Sequence, residues 1–242
     1  MLAVVIPAHN EEALIARCLH SVLRAASHPA LNGEQVEVIV VADSCLDKTA
    51  SIAGSMATRV VHIDQSNVGA ARATGADTAL AAGARWLSFT DADTRVPYDW
   101  LALQLQCHSE VVCGIITVDD WTEHGPGVEE DFIATYHGAN GHRHIHGANL
   151  GVAGSMYQRV GGFQPRPFNE DVTLVEALIA AGAHVTWSAA VRVITSARLD
   201  SRAPGGFGAA LSAVNRRLTP PAEHGATPAH TDKSVAAPGP PT

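Results

Sequence analysis

The sequence has few basic residues and no long apolar run, and each of these absences argues against one class of protein. Its 242 residues include 16 Lys and Arg against 24 Asp and Glu, a formal net charge of −8. Nucleic-acid-binding proteins need clustered basic residues to neutralise phosphates, so this balance argues against a nucleic-acid partner. No window reaches the roughly 18 uninterrupted apolar residues of a membrane-spanning helix, so we expect no integral membrane segment.

Cysteines and the common phosphate-binding motifs are also scarce. The four cysteines, Cys18, Cys45, Cys107 and Cys113, form no CxxC pair, which is typical of reduced thiols in a cytoplasmic protein. The first residues lack the pattern of a secretory signal, which leads to the same expectation. No GxxxxGKS or GxxxxGKT sequence occurs, and no GxGxxG follows the first strand pattern, so ATPase and dinucleotide-binding functions lose support.

Residues 219–242 differ in composition from the rest of the chain. They contain six of the 13 prolines and no Leu, Ile, Met or aromatic residue. Such a segment cannot offset its ordering entropy by burial. We therefore predict a disordered Pro/Ala-rich tail at 219–242 and a single folded domain over residues 1–218.

Before the tail, short apolar runs alternate with helical patterns. Strands are predicted at 2–6, 36–41, 59–63, 86–90, 111–118 and 191–194. One helix is predicted after an N-cap at Asn10, and a second follows the polar turn at 43–47 and ends at about residue 57. Further helices are predicted at 70–82, at 98–108 and after Asn169. Strands that are apolar on both faces and joined by helices predict an α/β fold, with a Rossmann-like, mostly parallel sheet covered by helices on both faces.

Polar residues follow the predicted strands, where the carboxyl ends of a parallel sheet bind ligands. Asp91 and Asp93 flank Ala92 directly after the fourth strand. Two carboxylates at this spacing can hold Mn²⁺ or Mg²⁺ from one side and leave positions open for phosphate oxygens, whereas an ordinary turn acid is the structural alternative. Asp43 ends another strand, and Arg72 would supply the positive charge that a diphosphate needs or lie as a solvated helix arginine.

Six segments resemble, in order, the successive motifs of family 2 glycosyltransferases with the GT-A fold. They are VVIPAHNEE (4–12), VVADSCLDKT (40–49), NVGAARATG (67–75), FTDADT (89–94), GANLGVAGSMYQRVGGF (147–163) and NEDVTL (169–174). The resemblance implies transfer of a sugar from a nucleoside-diphosphate donor, with UDP favoured, to an acceptor hydroxyl. It also implies a donor half over about residues 1–118 and an acceptor half over about residues 119–218.

The resemblance assigns roles to the matching positions. The nucleotide-binding residues it implies are Pro7, Ala8, Asn10, Glu11, Asp43, Arg72, Asp91 and Ala92. It implies that Asp93 ligates the Mn²⁺ or Mg²⁺ at the diphosphate. His9 departs from the residue common in the family, so the resemblance assigns it no role.

A second acidic cluster, Asn169-Glu170-Asp171, precedes a helical pattern. Acids at a helix start commonly serve capping and the helix dipole. Inverting sugar transfer needs a general base for the acceptor hydroxyl. The resemblance implies that Asp171 is this base, and Glu170 is its neighbour at the acceptor.

Acceptor-binding candidates lie just before this cluster. Asn149 could hydrogen-bond a sugar hydroxyl, and His146 belongs to a group with His137, His142 and His144. In an extended HRHIH segment three imidazoles share one face. Three interpretations stay open for these histidines: a polar loop beside the acceptor, a metal site, or recognition of an anionic acceptor together with Arg143.

Arg198 and Arg202 lie on a Gly-rich segment and are candidates for binding the diphosphate. The chain lacks the QxxRW sequence that many family members use in polymer synthesis, so we expect a single addition to a small or lipid-linked acceptor. The alternatives are a sugar-nucleotide nucleotidyltransferase and a non-catalytic nucleotide- or metal-binding module. The sequence does not predict the oligomeric state.

Overall fold

The computed structural model describes residues 1–199 and 207–218. The strands are β1 (Leu2–Ala8), β2 (Val36–Asp43), β3 (Arg59–Ile63), β4 (Trp86–Phe89), β5 (Val111–Thr117), β6 (Leu150–Ala153) and β7 (Val185–Ile194). The helices are α1 (Ile15–Ala26), α2 (Thr49–Gly54), α3 (Val68–Ala81), α4 (Trp100–Gln106), α5 (Val128–Thr135), α6 (Gly154–Arg159), α7 (Glu170–Ala180) and α8 (Phe207–Leu218). The predicted tail at 219–242 lies outside the described residues.

The seven strands form one sheet in the order β3-β2-β1-β4-β6-β5-β7. All neighbouring pairs are parallel except those of β6, which is antiparallel to both β4 and β5. This confirms the predicted single α/β domain with a mostly parallel sheet. The chain winds outward from β1 in both directions, so the carboxyl ends of β1, β2 and β4 meet at a switch point where such sheets bind ligands.

Helices cover both faces of the sheet, as predicted. Alternate residues of β1 point to opposite faces: Val4 packs in a buried cluster with α1 and α4, and Val5 packs in another with α3 and α7. Helix α3 lies very close to the sheet, because a Cβ at Gly75 would be 2.4 Å from Val5 Cγ1. Helix α3 therefore packs directly against β1, and both elements carry predicted site residues.

Two local predictions were wrong. Pro7 does not end β1, which continues to Ala8. The pairing of β1 with β4 stops at Val5. The nitrogen of Pro7 points to that side of β1, where no paired strand offers a carbonyl, so the lack of an N–H costs no hydrogen bond. Asn10 does not cap a helix: it has φ of 52° and α1 begins at Ile15.

Several features were not predicted, namely α5, α6, α8, the antiparallel direction of β6 and the first half of β7. They all belong to the second half of the chain. None of the helices in the described ranges has the length and apolar character needed to cross a bilayer.

Candidate active site

A cavity of about 1000 Å³ opens at the carboxyl ends of β1, β2 and β4. Most of the predicted site residues line it: Pro7, Ala8, Glu11, Asp43, Arg72, Asp91, Ala92, Asp93, His146, Glu170, Asp171 and Arg198. The fold thus brings Asp43, Asp93 and Asp171 to one cavity from three separate segments. Arg202 lies outside the described residues.

Asp43 ends β2, and the loop between β3 and α3 surrounds its carboxylate. Oδ1 accepts hydrogen bonds from the amides of Gln65 and Ser66, and Oδ2 accepts one from the amide of Asn67, each at 2.8 Å. Burial alone would raise the pKa of Asp43, but these donors outweigh it and hold the pKa below its usual range. We call this arrangement, Asp43 with residues 65–67, the amide cradle.

Glu11, Asp91 and Asp93 form a second acidic group, which we call the acidic rim. Arg198 donates to both carboxylate oxygens of Glu11, at 2.7 and 2.5 Å, and its Nη2 lies 3.3 Å from Asp93 Oδ2. Burial, joined by the like charges of Asp91 and Glu11, raises the pKa of Asp93 to about 6 although Arg198 opposes it. Burial and two neighbouring carboxylates thus disfavour the charged form of Asp93.

Arg72 is buried on α3 between two carboxylates. Nη2 donates to Asp91 Oδ1 at 2.6 Å, and Nη1 donates to Glu170 Oε1. Burial opposes the charge of Arg72, but Asp91 and Glu170 outweigh it and raise the pKa of the guanidinium. This differs from the expected free cation facing a diphosphate or from a solvated arginine, because Arg72 joins the acidic rim to α7. Burial also raises the pKa of Glu170, which Arg72 only partly offsets.

Gly147 connects this ion-pair network to Asp171. A Cβ at Gly147 would lie 2.4 Å from Arg72 Cζ, so only glycine lets the chain pass over the guanidinium. The amide of Gly147 donates to Asp171 Oδ2 at 2.7 Å, and the Val172 amide donates to Oδ1 at 2.8 Å. Asn169 is the N-cap of α7, so Asp171 lies inside the first turn and faces the cavity.

Asn149 does not line the cavity, contrary to its predicted acceptor role. Its side chain is fully buried: Oδ1 accepts from the Trp100 indole at 2.9 Å, and Nδ2 donates to the carbonyls of Ile115 and Val191 at 2.8 and 3.0 Å. The amide group therefore ties α4, β5 and β7 together. An acceptor could reach it only by displacing these bonds.

Asn10 is also absent from the cavity lining, although a nucleoside contact was expected of it. Its Oδ1 accepts a hydrogen bond from the Leu46 amide at 2.8 Å. The side chain thus joins the loop after β1 to the loop after β2. It shapes the cavity's edge indirectly.

The histidines share one face, as the extended pattern predicts, and their rings stack. Ring centroids lie 5.4 Å apart for His142 and His144, and 5.9 Å apart for His144 and His146. Over residues 1–199 and 207–218, no group of three or more His, Cys, Asp or Glu side chains is arranged to hold a metal ion. Arg143 lies over the Trp187 ring at 5.1 Å and does not line the cavity.

The cavity wall formed by α5 was not predicted from the sequence. Phe132 and Tyr136 line the cavity, and their rings stack at 4.8 Å. Their spacing of four residues was the available signal, but the surrounding acidic and glycine residues obscured the short helix.

Comparison with known proteins agrees with this geometry. The family model described as Glycosyl transferase family 2 matches residues 3–153, which include β1 to β6. Staphylococcus aureus TarS (residues 1–349, in complex with UDP-GlcNAc) superposes with a TM-score of 0.62 at 16% identity, over 85% of this chain and 61% of that one. A comparison with curated proteins finds no match.

A second solved structure has the same fold. It is the mannosyltransferase PcManGT from Pyrobaculum calidifontis in complex with GDP-Man and Mn²⁺, with a TM-score of 0.60 at 19% identity, over 83% of this chain and 58% of that one. Both structures support the GT-A fold, and the chain spans about three fifths of their length. Because the family model covers more than half of the sequence, the chain belongs to glycosyltransferase family 2.

Proposed function

We propose that the chain transfers one sugar from a nucleoside-diphosphate donor, with UDP favoured, to an acceptor hydroxyl, with inversion at the anomeric carbon. The observation that carries this proposal is that Asp43, the acidic rim and Asp171 line one cavity. The solved relatives hold UDP-GlcNAc and GDP-Man, which supports a sugar nucleotide as donor. Membership of family 2 weighs against the nucleotidyltransferase alternative.

The donor would lie along the strand ends. Pro7 and Ala8 face the cavity from β1, and the amide cradle borders it from β2. We assign the nucleoside to these residues and the diphosphate to the acidic rim, with Arg198 as its protein-borne positive charge. Arg202 remains a second candidate for that role on sequence grounds.

Asp93, in the acidic rim, can contribute one ligand to a divalent metal. Carboxylate oxygens are the ligands that Mg²⁺ and Mn²⁺ prefer, and Asp93 lines the cavity together with Asp91 and Glu11. Since the described residues offer no complete metal cage, Asp93 would hold the ion and the diphosphate would supply further oxygens. When bound, the ion would neutralise the charge of the departing diphosphate.

Asp171 is the proposed general base. Its two amide donors, Gly147 and Val172, fix the orientation of the carboxylate without adding a positive charge. A carboxylate held in this way can take the proton from an acceptor hydroxyl as the oxygen attacks the anomeric carbon. Glu170 is turned toward Arg72, so we assign it to holding that network rather than to the proton transfer.

The acceptor is proposed to be small or lipid-linked, and its hydroxyl would lie near Asp171. We place the reaction in the cytoplasm, since the four cysteines are free thiols.

The test measures UDP release and donor binding with Mn²⁺ for wild type, Asp93→Ala and Asp171→Asn. We expect turnover to be lost in both variants, by about 10²–10⁴-fold for the base. Donor binding should survive only in Asp171→Asn. Glu176→Gln, an exposed acid on the same helix, is the matched control and should retain full activity.

Normal turnover of Asp171→Asn would remove Asp171 as the base. Donor binding without turnover by wild type, with every donor and acceptor tried, would favour the non-catalytic binding module.

A further inference from the structure

Resting on the proposed function, we propose that the acceptor carries an uncharged apolar ring or chain beside the hydroxyl that receives the sugar. The part of the cavity formed by α5 and α8 would bind this apolar group. The chemical class is therefore an alcohol with an aryl or alkyl substituent, not an anionic sugar or a fully polar one.

Away from the acidic rim, the lining of the cavity changes from charged to mainly apolar side chains. Six apolar side chains, which we call the apolar wall, line this part: Ile116, Val128, Phe132, Phe207, Leu211 and Val214. Phe132, Phe207 and Val214 are partly exposed and form its accessible surface, and the other three are buried behind them. Helix α5 also contributes Asp131 to the lining, and Arg217 donates to its Oδ1 at 2.6 Å. A bound apolar group would thus contact apolar atoms and one compensated charge, and its transfer from water is favourable.

A row of stacked rings leads from this wall toward the proposed base. The Tyr136 ring stacks on Phe132 at 4.8 Å and on His144 at 4.2 Å, and it lies 6.0 Å from the His146 ring. Gly147, directly after His146, donates its amide to Asp171. A hydroxyl at Asp171 would therefore lie in the same cavity as the apolar wall, and the row of rings connects the two.

Phe132, Tyr136 and His146 carry no charge at neutral pH that would attract an anion. The Tyr136 hydroxyl accepts a hydrogen bond from the Ile116 amide at 3.1 Å and shares another with His146 Nε2 at 2.9 Å. Burial and the neighbouring histidines lower the pKa of His146 to about 4, and burial raises the pKa of Tyr136 to about 12.

Charge elsewhere in the cavity also disfavours an anionic acceptor. Arg143, which could have paired with one, lies over Trp187 outside the lining. Arg72 and Arg198 are held by the carboxylates of α7 and the acidic rim. An acidic acceptor would approach Glu170 and Asp171 with like charge, and among the described lining residues the apolar wall offers it no basic side chain.

The experiment compares the binding of methyl, phenyl and octyl β-glucosides and of phenyl β-glucuronide by calorimetry, with octyl glucoside kept below micelle formation. We expect the phenyl and octyl glucosides to bind about tenfold or more tightly than methyl glucoside, because their additional carbons leave water when they bind. The glucuronide should bind more weakly than the phenyl glucoside.

Two variants locate the effect. Phe132→Ala should reduce the preference for octyl over methyl glucoside several-fold, and Ile133→Ala, its exposed neighbour on α5, should leave it unchanged. Val214→Thr keeps the side-chain shape and adds a hydroxyl to the wall, so it should reduce the preference without a change of fold.

Equal binding of the methyl and octyl glucosides, tighter binding of the glucuronide, or an unchanged preference in both Phe132→Ala and Val214→Thr would overturn the inference. The proposed function can fail separately. Absence of UDP release with every donor would refute sugar transfer. In that case, a preference for the octyl glucoside that is lost in the two wall variants would still support the ligand class. Turnover of a polar acceptor by wild type without any apolar preference would refute the ligand class alone.

Discussion

The amide cradle and the acidic rim are both acidic groups at strand ends, yet they have opposite environments. Asp43 accepts hydrogen bonds from three backbone amides, and its pKa lies below the usual range. Asp93 is buried beside the like charges of Asp91 and Glu11, and its pKa rises to about 6. The charged form of Asp43 is therefore stabilised by backbone amides, and the charged form of Asp93 is disfavoured by burial and by its neighbours.

This contrast separates two uses of the same residue type. A carboxylate that accepts backbone amides stabilises a loop whether or not a ligand is present. A carboxylate crowded by others costs folding free energy and is typical of functional sites. The cradle should therefore matter first for stability, and the rim first for activity.

Asp93→Asn is expected to give the largest effect and the clearest break in the comparison. Removing the charge that would hold the cation should lower kcat/KM by on the order of 10³-fold. The variant should be at least as stable as wild type, because the substitution relieves repulsion in the rim. Activity assays with Mn²⁺ and thermal unfolding without metal measure the two sides.

Asp119→Asn is the matched control for Asp93→Asn. Asp119 also pairs with an arginine, Arg95, but does not line the cavity. Full activity should persist in this variant. A clear loss of stability in Asp93→Asn would show that Asp93 is a structural carboxylate like Asp43.

Asp43→Ala should show the reverse pattern. Three amides lose a charged acceptor, so the free energy of unfolding should fall by about 3 kcal/mol, with water replacing part of the loss. Denaturant unfolding measures this, and donor binding should weaken because the loop at 65–67 borders the cavity. Asp64→Ala, an exposed acid that accepts from Ser44, should cost much less. Equal stability of the two variants would contradict the cradle's role.

Gly147→Ala tests the link between the rim and the proposed base. Its Cβ would displace the Arg72 guanidinium, which holds Asp91, and would shift the amide that orients Asp171. We expect kcat to fall by about tenfold to a hundredfold, because small misplacements of catalytic groups are costly. Gly54→Ala, with only an ordinary 3.9 Å contact, is the control.

The double variant Gly147→Ala/Arg72→Lys sharpens this test. Lysine lacks the planar group that the new Cβ would meet, so the two losses should not add. Additive losses in kcat would mean that Gly147 and Arg72 act independently.

The first half of the fold was predictable because its signals are local. The apolar runs of β1, β2 and β5 appear in the sequence, and β3 was predicted with its observed bounds. The errors at Pro7 and Asn10 arose from tertiary context: the end of pairing with β4 makes the proline tolerable, and Asn10 bonds the loop after β2. In the second half, α5 spans eight residues and α6 six, and both are too short for a helical periodicity to show.

The site divides in the same way. Motif order was enough to bring Asp43, Asp93 and Asp171 to one cavity. It could not distinguish Asn149, whose side-chain amide is hydrogen-bonded within the core, from a residue that faces a ligand. Nor could it show that Arg72 is paired on both sides, since its partner Glu170 lies 98 residues away along the chain.

The smallest expected effect is the pH dependence of stability in metal-free buffer, where the two carboxylates should act with opposite sign. Asp43 has a folded pKa below its unfolded value, so its contribution is present above about pH 4 and is lost as the pH falls through the folded pKa. Asp93 has a folded pKa of about 6 against an ordinary 3.8, so its contribution is present below about pH 4 and is lost as the pH rises through 6.

Between pH 4 and 7, Asp93→Asn should therefore gain stability relative to wild type, by about 1–3 kcal/mol at pH 7. Chemical denaturation with EDTA at each pH measures the difference. Addition of Mn²⁺ should reduce the gap, because the cation stabilises wild type and has no charged ligand at position 93 in the variant. A gap that closes as the pH rises without metal would mean that Arg198 compensates Asp93 fully, and the acidic rim would then resemble the amide cradle.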